Sequence, residues 1–162
     1  MGKLSKIAAG ILISLVLLAV LLRITGFEPH DRLPGLWVKG NLVTTPVTDW
    51  SFTDKYPNIF VETHPWYLIA HSVTTTCVAH EGRLYLTSTY DAGLQFPRDR
   101  AWNRYVMRDP HVRLKIGDQI YEQTLTVVTD PAEKEAVQQT KAKKYPSMKI
   151  PEGGTVHVFR VS

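Results

Sequence analysis

The 162-residue chain, once its apolar start is set aside, has room for one domain of ordinary size. With 44% hydrophobic and 21% charged residues, four Trp and seven Tyr, it has the composition of a folded chain rather than a disordered one. A net charge of +4 and a pI near 9.2 are too mild and too evenly spread to argue for a nucleic-acid partner, and one cysteine excludes an internal disulfide or a multi-cysteine metal cage.

Residues 7–22, "IAAGILISLVLLAVLL", carry no charge and are apolar on every face, which suits a membrane better than a protein core. About 16 to 19 residues is short for a span and also fits a signal-peptide core. The following "RITGFEPHD" is a poor cleavage context, so an uncleaved anchor over residues 1–26 is favoured over a removed signal. Lys3 and Lys6 ahead of the span predict a single-pass protein of the inner or plasma membrane. Its N-terminus would be inside and its domain extracytoplasmic, in the periplasm.

Residues 27–57 hold Pro29, Pro34, Pro46 and Pro57 with Gly35 and Gly40, just after Gly26, and read as a Pro/Gly-rich tether with short extended pieces. Trp37, Trp50 and Phe52 are too large and apolar to be left in solvent, so the tether should pack on the domain, whose compact part is placed at 58–162. "NIFVET" predicts a strand, broken at His64-Pro65. Residues 72–80 predict a second, which returns through the Glu81-Gly82 turn into "RLYLTSTY" as a hairpin. Cys77, in "TTTCVAH", reads as a small buried hydrophobe.

"DAGLQFPRD" is a loop, and Asp99 is positioned to cap a short helix, "RAWNRYVM", that must stop before Pro110. From His111 the pattern changes to strict alternation, with Val112, Leu114 and Ile116 apolar. Gly117-Asp118 turns the chain into a second arm over 119–129, with Ile120, Leu125 and Val127 as core contacts. "TDPAEKEAVQQTKAKK" predicts a helix with Asp130 as cap, Pro131 in the first turn and Glu133 reaching back; its basic "KAKK" end suits the helix dipole. "TVHVFRV" closes the chain after Gly153-Gly154. Mainly antiparallel strands with two short helices imply a small closed barrel, an α+β fold dominated by β, rather than a doubly wound sheet.

The succession "VTTTCVAHEGRLYLTS", basic loop, "AWNRYVMRDPHVRLKIGDQIYE" and "VVTDPAEKEAV" resembles the flavin-binding split β-barrel of the pyridoxamine 5'-phosphate oxidase-like and deazaflavin-dependent nitroreductase-like families. The resemblance spans about residues 58–161. It implies a homodimer that binds a flavin between its barrels and acts as an oxidoreductase on a small-molecule substrate. The membrane anchor suggests a lipophilic, quinone-like one. The cofactor contacts it implies are Ser72, Thr74 and Thr76 on the first hairpin, Thr87, Ser88 and Thr89 on its partner strand, and Arg98 and Arg100 in the loop and helix start. The residues' own chemistry adds Arg104 as a phosphate ligand and Trp102 as a ring to stack on the flavin or to pack in the core.

The chemistry of the stretch from Thr87 to Arg104 is consistent with a phosphate site, since arginine forks, hydroxyls and a helix start lie close together. The sequence departs from the families at "HPWYLIAHS", where a Gly-Arg-x-Ser-Gly-type loop is usual, and at Ser72 and Cys77, where Arg and Lys are usual. The cofactor is therefore left open among FMN, deazaflavin F420 and none, and the last case would be a non-catalytic binding or interaction module. His64, His71 and His80 match no metal-ligand spacing, and no Ser, His and carboxylate group into a nucleophile motif.

Overall fold

The computed structural model describes residues 2–67 and 69–162; Met1, at the head of the expected anchor, and Leu68, in "HPWYLIAHS", lie outside the described residues. Helix α1, Lys3–Thr25, carries the apolar run and buries no residue. It is long and apolar enough to cross a membrane, by length and composition. After it come β1 (Asn41–Leu42), a 3-10 turn (Ser51–Lys55), β2 (Ile59–Thr63), β3 (His71–Thr75), β4 (Cys77–His80), β5 (Arg83–Tyr90), α2 (Ala101–Arg108), β6 (His111–Ile116), β7 (Gln119–Val127), α3 (Pro131–Lys144) and β8 (Thr155–Val161).

Where one strand was expected over 72–80 the chain forms two. β3 pairs with β2 and β4 pairs with β5, so the ladder changes partner at Thr76. The sheet runs β3-β2-β6-β7-β8-β5-β4, antiparallel throughout except where β1 joins β7 in parallel. Its two ends are thus consecutive pieces of one chain. The ribbon must curl until both edges meet at Thr76, yet no ladder joins β3 to β5 among the described residues. At that seam only side chains reach across: Thr75 Oγ1 donates to the Thr87 carbonyl over 3.4 Å, and the Thr76 and Thr87 hydroxyls are 3.2 Å apart. The barrel is split there.

Alternation sorts each strand into an inner and an outer face. Leu84 and Leu86 point in with Val112, Leu114, Ile116 and Phe159 to form the core, which α2 closes with Trp102 and Val106. Tyr85, Val78 and Val158 point out and are covered by Val137 of α3. The expected core contacts Ile120 and Leu125 are buried, and Val127 is half-buried against the core. Tight turns take the backbone the sequence announced: Glu81 and Gly82 both have positive φ, 50° and 74°. Gly117, at φ 60°, admits the Tyr56 ring where a side chain would collide with its hydroxyl.

Several boundaries shift for local reasons. The second arm of the hairpin ends at Val127, because Asp130 already caps α3 through the Ala132 and Glu133 amides. Glu133 does not reach back; its carboxylate takes the Tyr85 hydroxyl at 2.8 Å and Arg160 at 3.1 Å, partners that only the curled sheet supplies. α2 begins at Ala101 without a side-chain cap, and Asp99 instead accepts from the Gln95 amide at 2.7 Å, closing the preceding loop.

Residues 27–57 lie against the sheet. Trp37 and Trp50 are buried, and Phe52 stacks on Trp50 at the surface. Gly35 bridges to Ser72 through two backbone hydrogen bonds. Val38 donates its amide to Glu62 Oε2 at 2.7 Å, and Glu62, 2% exposed, also holds Arg113 at 3.2 Å. This buried carboxylate therefore ties the segment and two strands together, and removing it strands a buried amide and a guanidinium. Glu62→Ala should cost about 3–5 kcal/mol, read as a lower urea midpoint for the full chain in detergent; Glu62→Gln, which keeps an acceptor for Val38, should cost less.

Candidate functional site

The outward face of β5 continues past Tyr85 to Thr87 and Thr89, beyond the residues that Val137 covers. Two hollows meet there. One, of about 560 Å3, lies between α3 and the 145–150 segment and is lined by Lys134, Gln138, Lys141 and Tyr145 among others. The second, of about 590 Å3, opens where β3 and β5 part and is lined by Arg32, Thr74, Asp91, Arg100 and Trp102 among others. Thr89, Met148 and Lys149 border both, so the two form one trough running from the barrel's seam to α3.

Charge in the trough is set by burial as much as by sequence. Lys141 Nζ donates to Thr87 Oγ1 at 2.6 Å and is paired with no carboxylate among the described residues. Burial pulls its pKa below the ordinary lysine value, because an ammonium loses hydration there that one hydroxyl does not replace. In the seam hollow, Arg32, Arg100 and Lys149 face Asp31 and Asp91, three cations against two carboxylates. Arg100 lays its guanidinium over the Tyr90 ring at 5.2 Å, while Tyr90 donates to Asn103 at 2.7 Å. Burial, opposed by the charge of Arg100, pushes the Tyr90 phenol up to about 12.

Two polar atoms on this wall, Thr74 Oγ1 and Arg100 Nε, are buried without a hydrogen-bond partner. Such groups usually cost about 1–3 kcal/mol each when left unmade.

The residues expected to act together are divided by the fold. Thr74, Thr89, Arg100 and an edge of Trp102 share the seam hollow. Thr76 and Thr87 meet at the seam and join Lys141. Ser88 is buried on the opposite face of β5 from Thr87, and Ser72 is buried where β3 bridges Gly35; neither hydroxyl has a partner. Trp102 is mainly a core ring, 5.1 Å from Phe159.

Arg98 has a side chain 70% exposed and pairs only with Asp99, and Arg104 lies over the Tyr105 ring; neither lines the trough. Lys141, Lys149 and Arg32 lie outside the stretch from which a phosphate site was expected. Lys141 had a signal, since "KAKK" follows the helix by three to four residues per turn, but that spacing also fits a solvated helix end.

The remaining titratable groups lie apart. Cys77 is buried, and burial pushes its thiol up although Lys144 Nζ, 3.8 Å away, opposes this. His64 Nδ1 lies 3.1 Å from the His111 carbonyl, His71 packs its ring on Tyr105, and His80 meets the Thr140 hydroxyl at 2.9 Å. No group of three His, Cys, Asp or Glu gathers as a metal site among the described residues.

No family model and no curated protein matches this chain. Solved structures do. A NimC/NimA-family protein from Clostridium acetobutylicum covers 68% of this chain and 76% of its own length at 10% identity, with a TM-score of 0.50. A candidate 5-nitroimidazole antibiotic resistance protein from Bacteroides thetaiotaomicron covers 82% and 90% at 13% identity and the same TM-score. An F420-H2-dependent reductase covers 66% and 95% at 19% identity, with a TM-score of 0.48.

The fold is the split barrel. This is the architecture the motif succession implied: β3 and β5 are left unladdered, and the trough starts where they part.

Two half-buried histidines make the barrel sensitive to acid. Burial lowers the pKa of His71, and burial with a smaller contribution from Lys134 lowers that of His157, which stacks on Phe96 at 3.9 Å. Between the ordinary histidine value of about 6.5 and these lower native values, the unfolded chain binds protons that the native chain does not. Stability should thus be full above the ordinary value and fall as pH drops through the window below it. The melting temperature followed from pH 7.5 to 5.5 should decline, and His71→Gln should flatten that decline.

Proposed function

We propose that the chain is a membrane-anchored, flavin- or deazaflavin-dependent oxidoreductase whose cofactor lies in the trough along the seam. The anchor is α1, and the domain stands on the extracytoplasmic side. The observation that carries the reading is the pair of buried, unpartnered polar atoms, Thr74 Oγ1 and Arg100 Nε, on the wall of a cationic hollow. Both residues line that hollow, and a phosphate there would meet the outer nitrogens of Arg100, whose planar fork suits it.

The residues present fit such a group. Arg100, with Arg32 and Lys149 beside it, would hold the phosphate. Thr89, which borders both hollows, and Lys141 would offer a hydroxyl and an ammonium to the polar edge of the ring system. The Tyr90 phenol stays protonated at physiological pH and keeps the Arg100 guanidinium in place through its ring face. A bound flavin or deazaflavin would itself carry the hydride, and the protein's part is to bind, orient and screen it from water.

Leu33, Met148 and Ile150 leave apolar surface along the trough. Cover for it in this reading comes from a second copy of the chain, as a homodimer, which would leave an apolar slot for a small, quinone-like substrate.

Titration of the full chain with FMN and with a deazaflavin, followed by flavin fluorescence, tests the reading. One of the two should bind in the micromolar range. Arg100→Ala and Lys141→Ala should each weaken it at least about tenfold, near 1.4 kcal/mol. Arg98→Ala and Arg104→Ala, which remove guanidinium groups outside the trough, should leave it unchanged. A well-folded protein that binds neither compound would be a non-catalytic split-barrel module.

A further inference from the structure

A second hollow, of about 710 Å3, lies where α1 meets the barrel, and its lining differs in kind from that of the trough. Arg23 and Ile24, in the last turn of α1, form one side. Trp37, Val38 and Lys39 form the floor, with Ile69 and Ala70 beyond. Its deepest carboxylate, Glu62, is already satisfied by Val38 and Arg113, and Glu122 stands 3.9 Å from the same arginine.

Arg23 lies over the Trp37 ring at 5.6 Å, and neither it nor Lys39 has a carboxylate partner among the described residues. Three cations, Arg23, Lys39 and Arg113, thus face two carboxylates, and the unpaired charge is at the α1 side. Both side chains are exposed, so water solvates their heads, and an anion docking here has no carboxylate partner of theirs to displace.

The position of the hollow selects the anion. An uncharged run of 16 residues at 1.5 Å each is about 24 Å long, so Arg23 falls at the edge of the hydrocarbon layer when α1 spans a bilayer. Ile24 and Ile69, which line the hollow, are exposed, and so are Trp66 and Tyr67, which follow Pro65 of its lining in the chain, Trp66 at 77%. Tryptophan and tyrosine at that level suit the headgroup region. A ligand entering here would set an anionic head on Arg23 and Lys39 and an apolar tail along Ile24 and Ile69.

We propose that this hollow binds one anionic phospholipid from the surrounding leaflet, its phosphodiester held by Arg23 and Lys39. The bound lipid fixes the barrel against the membrane surface. This site is independent of the seam trough and of any cofactor there.

Native mass spectrometry of the full chain in a non-ionic detergent, titrated with dioleoyl phosphatidylglycerol, tests it. One lipid should add, more tightly than dioleoyl phosphatidylcholine. The double variant Arg23→Gln/Lys39→Gln should weaken it on the order of 30-fold, taking each surface cation at about fivefold. Ile69→Ser should weaken it too with both charges intact, and sn-glycerol 3-phosphate should form no comparable adduct. Near-ultraviolet circular dichroism should match the natural sequence for every variant. Undiminished binding by the folded double variant would overturn the proposal. So would equal affinity for the two lipids, or an adduct with glycerol 3-phosphate as tight as the lipid's.

Discussion

The constraint on which the structure depends is that the first and last strands of its sheet are consecutive pieces of chain. β3 and β4 are separated by Thr76 alone, yet they occupy opposite ends of the hydrogen-bonded order. A flat sheet would hold those ends several strand spacings apart, about 4.8 Å for each step. The sheet therefore curls fully, and the twist that strands favour supplies the sense of the curl. Closure is not completed by backbone pairing, because the chain leaves one ladder and enters the other at the point where the edges meet. The seam that results is where threonine hydroxyls, rather than a backbone ladder, bridge the edges.

That seam explains why the polar residues there are arranged as they are. Hydroxyls on β3 and β5 cannot satisfy each other everywhere, and Thr74 Oγ1 is left without a partner, as is Arg100 Nε in the lining of the same hollow. A folded protein rarely keeps such groups buried and unmade unless something else meets them. α3 brings a lysine to the same strand from outside the barrel, so cations approach the seam from two directions. This concentration of cations and hydroxyls is what the proposed cofactor groove rests on.

A different balance governs the 27–57 segment and the foot of α1. There one buried carboxylate is fully used, taking an amide from the segment and a guanidinium from β6. Its saturation matters for the neighbouring hollow, since it leaves Arg23 and Lys39 without an acidic partner. The trough and this hollow thus differ in what is missing: hydrogen-bond partners at the seam, and counter-charge at the end of α1.

Much of the architecture was legible in the residue order, because its signals act over a few residues. The alternation from His111 to Ile116, the Glu81-Gly82 and Gly117 turns and the Asp130-Pro131 cap each depend on backbone geometry within one turn or one strand. The same local reading erred where a side chain had a better distant partner. Glu133 left its own helix start for Tyr85 and Arg160, and one apparent strand was divided at Thr76.

The candidate site was legible only in part. Alternation alone separates Ser88 from Thr87 and Thr89, but the sequence does not say which face meets α3. Arg98, Arg100 and Arg104 look equivalent in a basic stretch, and only the packing of Tyr90 turns one inward and leaves two in solvent. Lys141 and Thr87 stand 54 residues apart and meet through the curl of the sheet. The sequence by itself thus determined the elements, their turns and the apolar helix, since neighbouring residues decide those. Tertiary structure alone decided which polar groups were left facing one another, because desolvation and contact depend on what lies across space rather than along the chain.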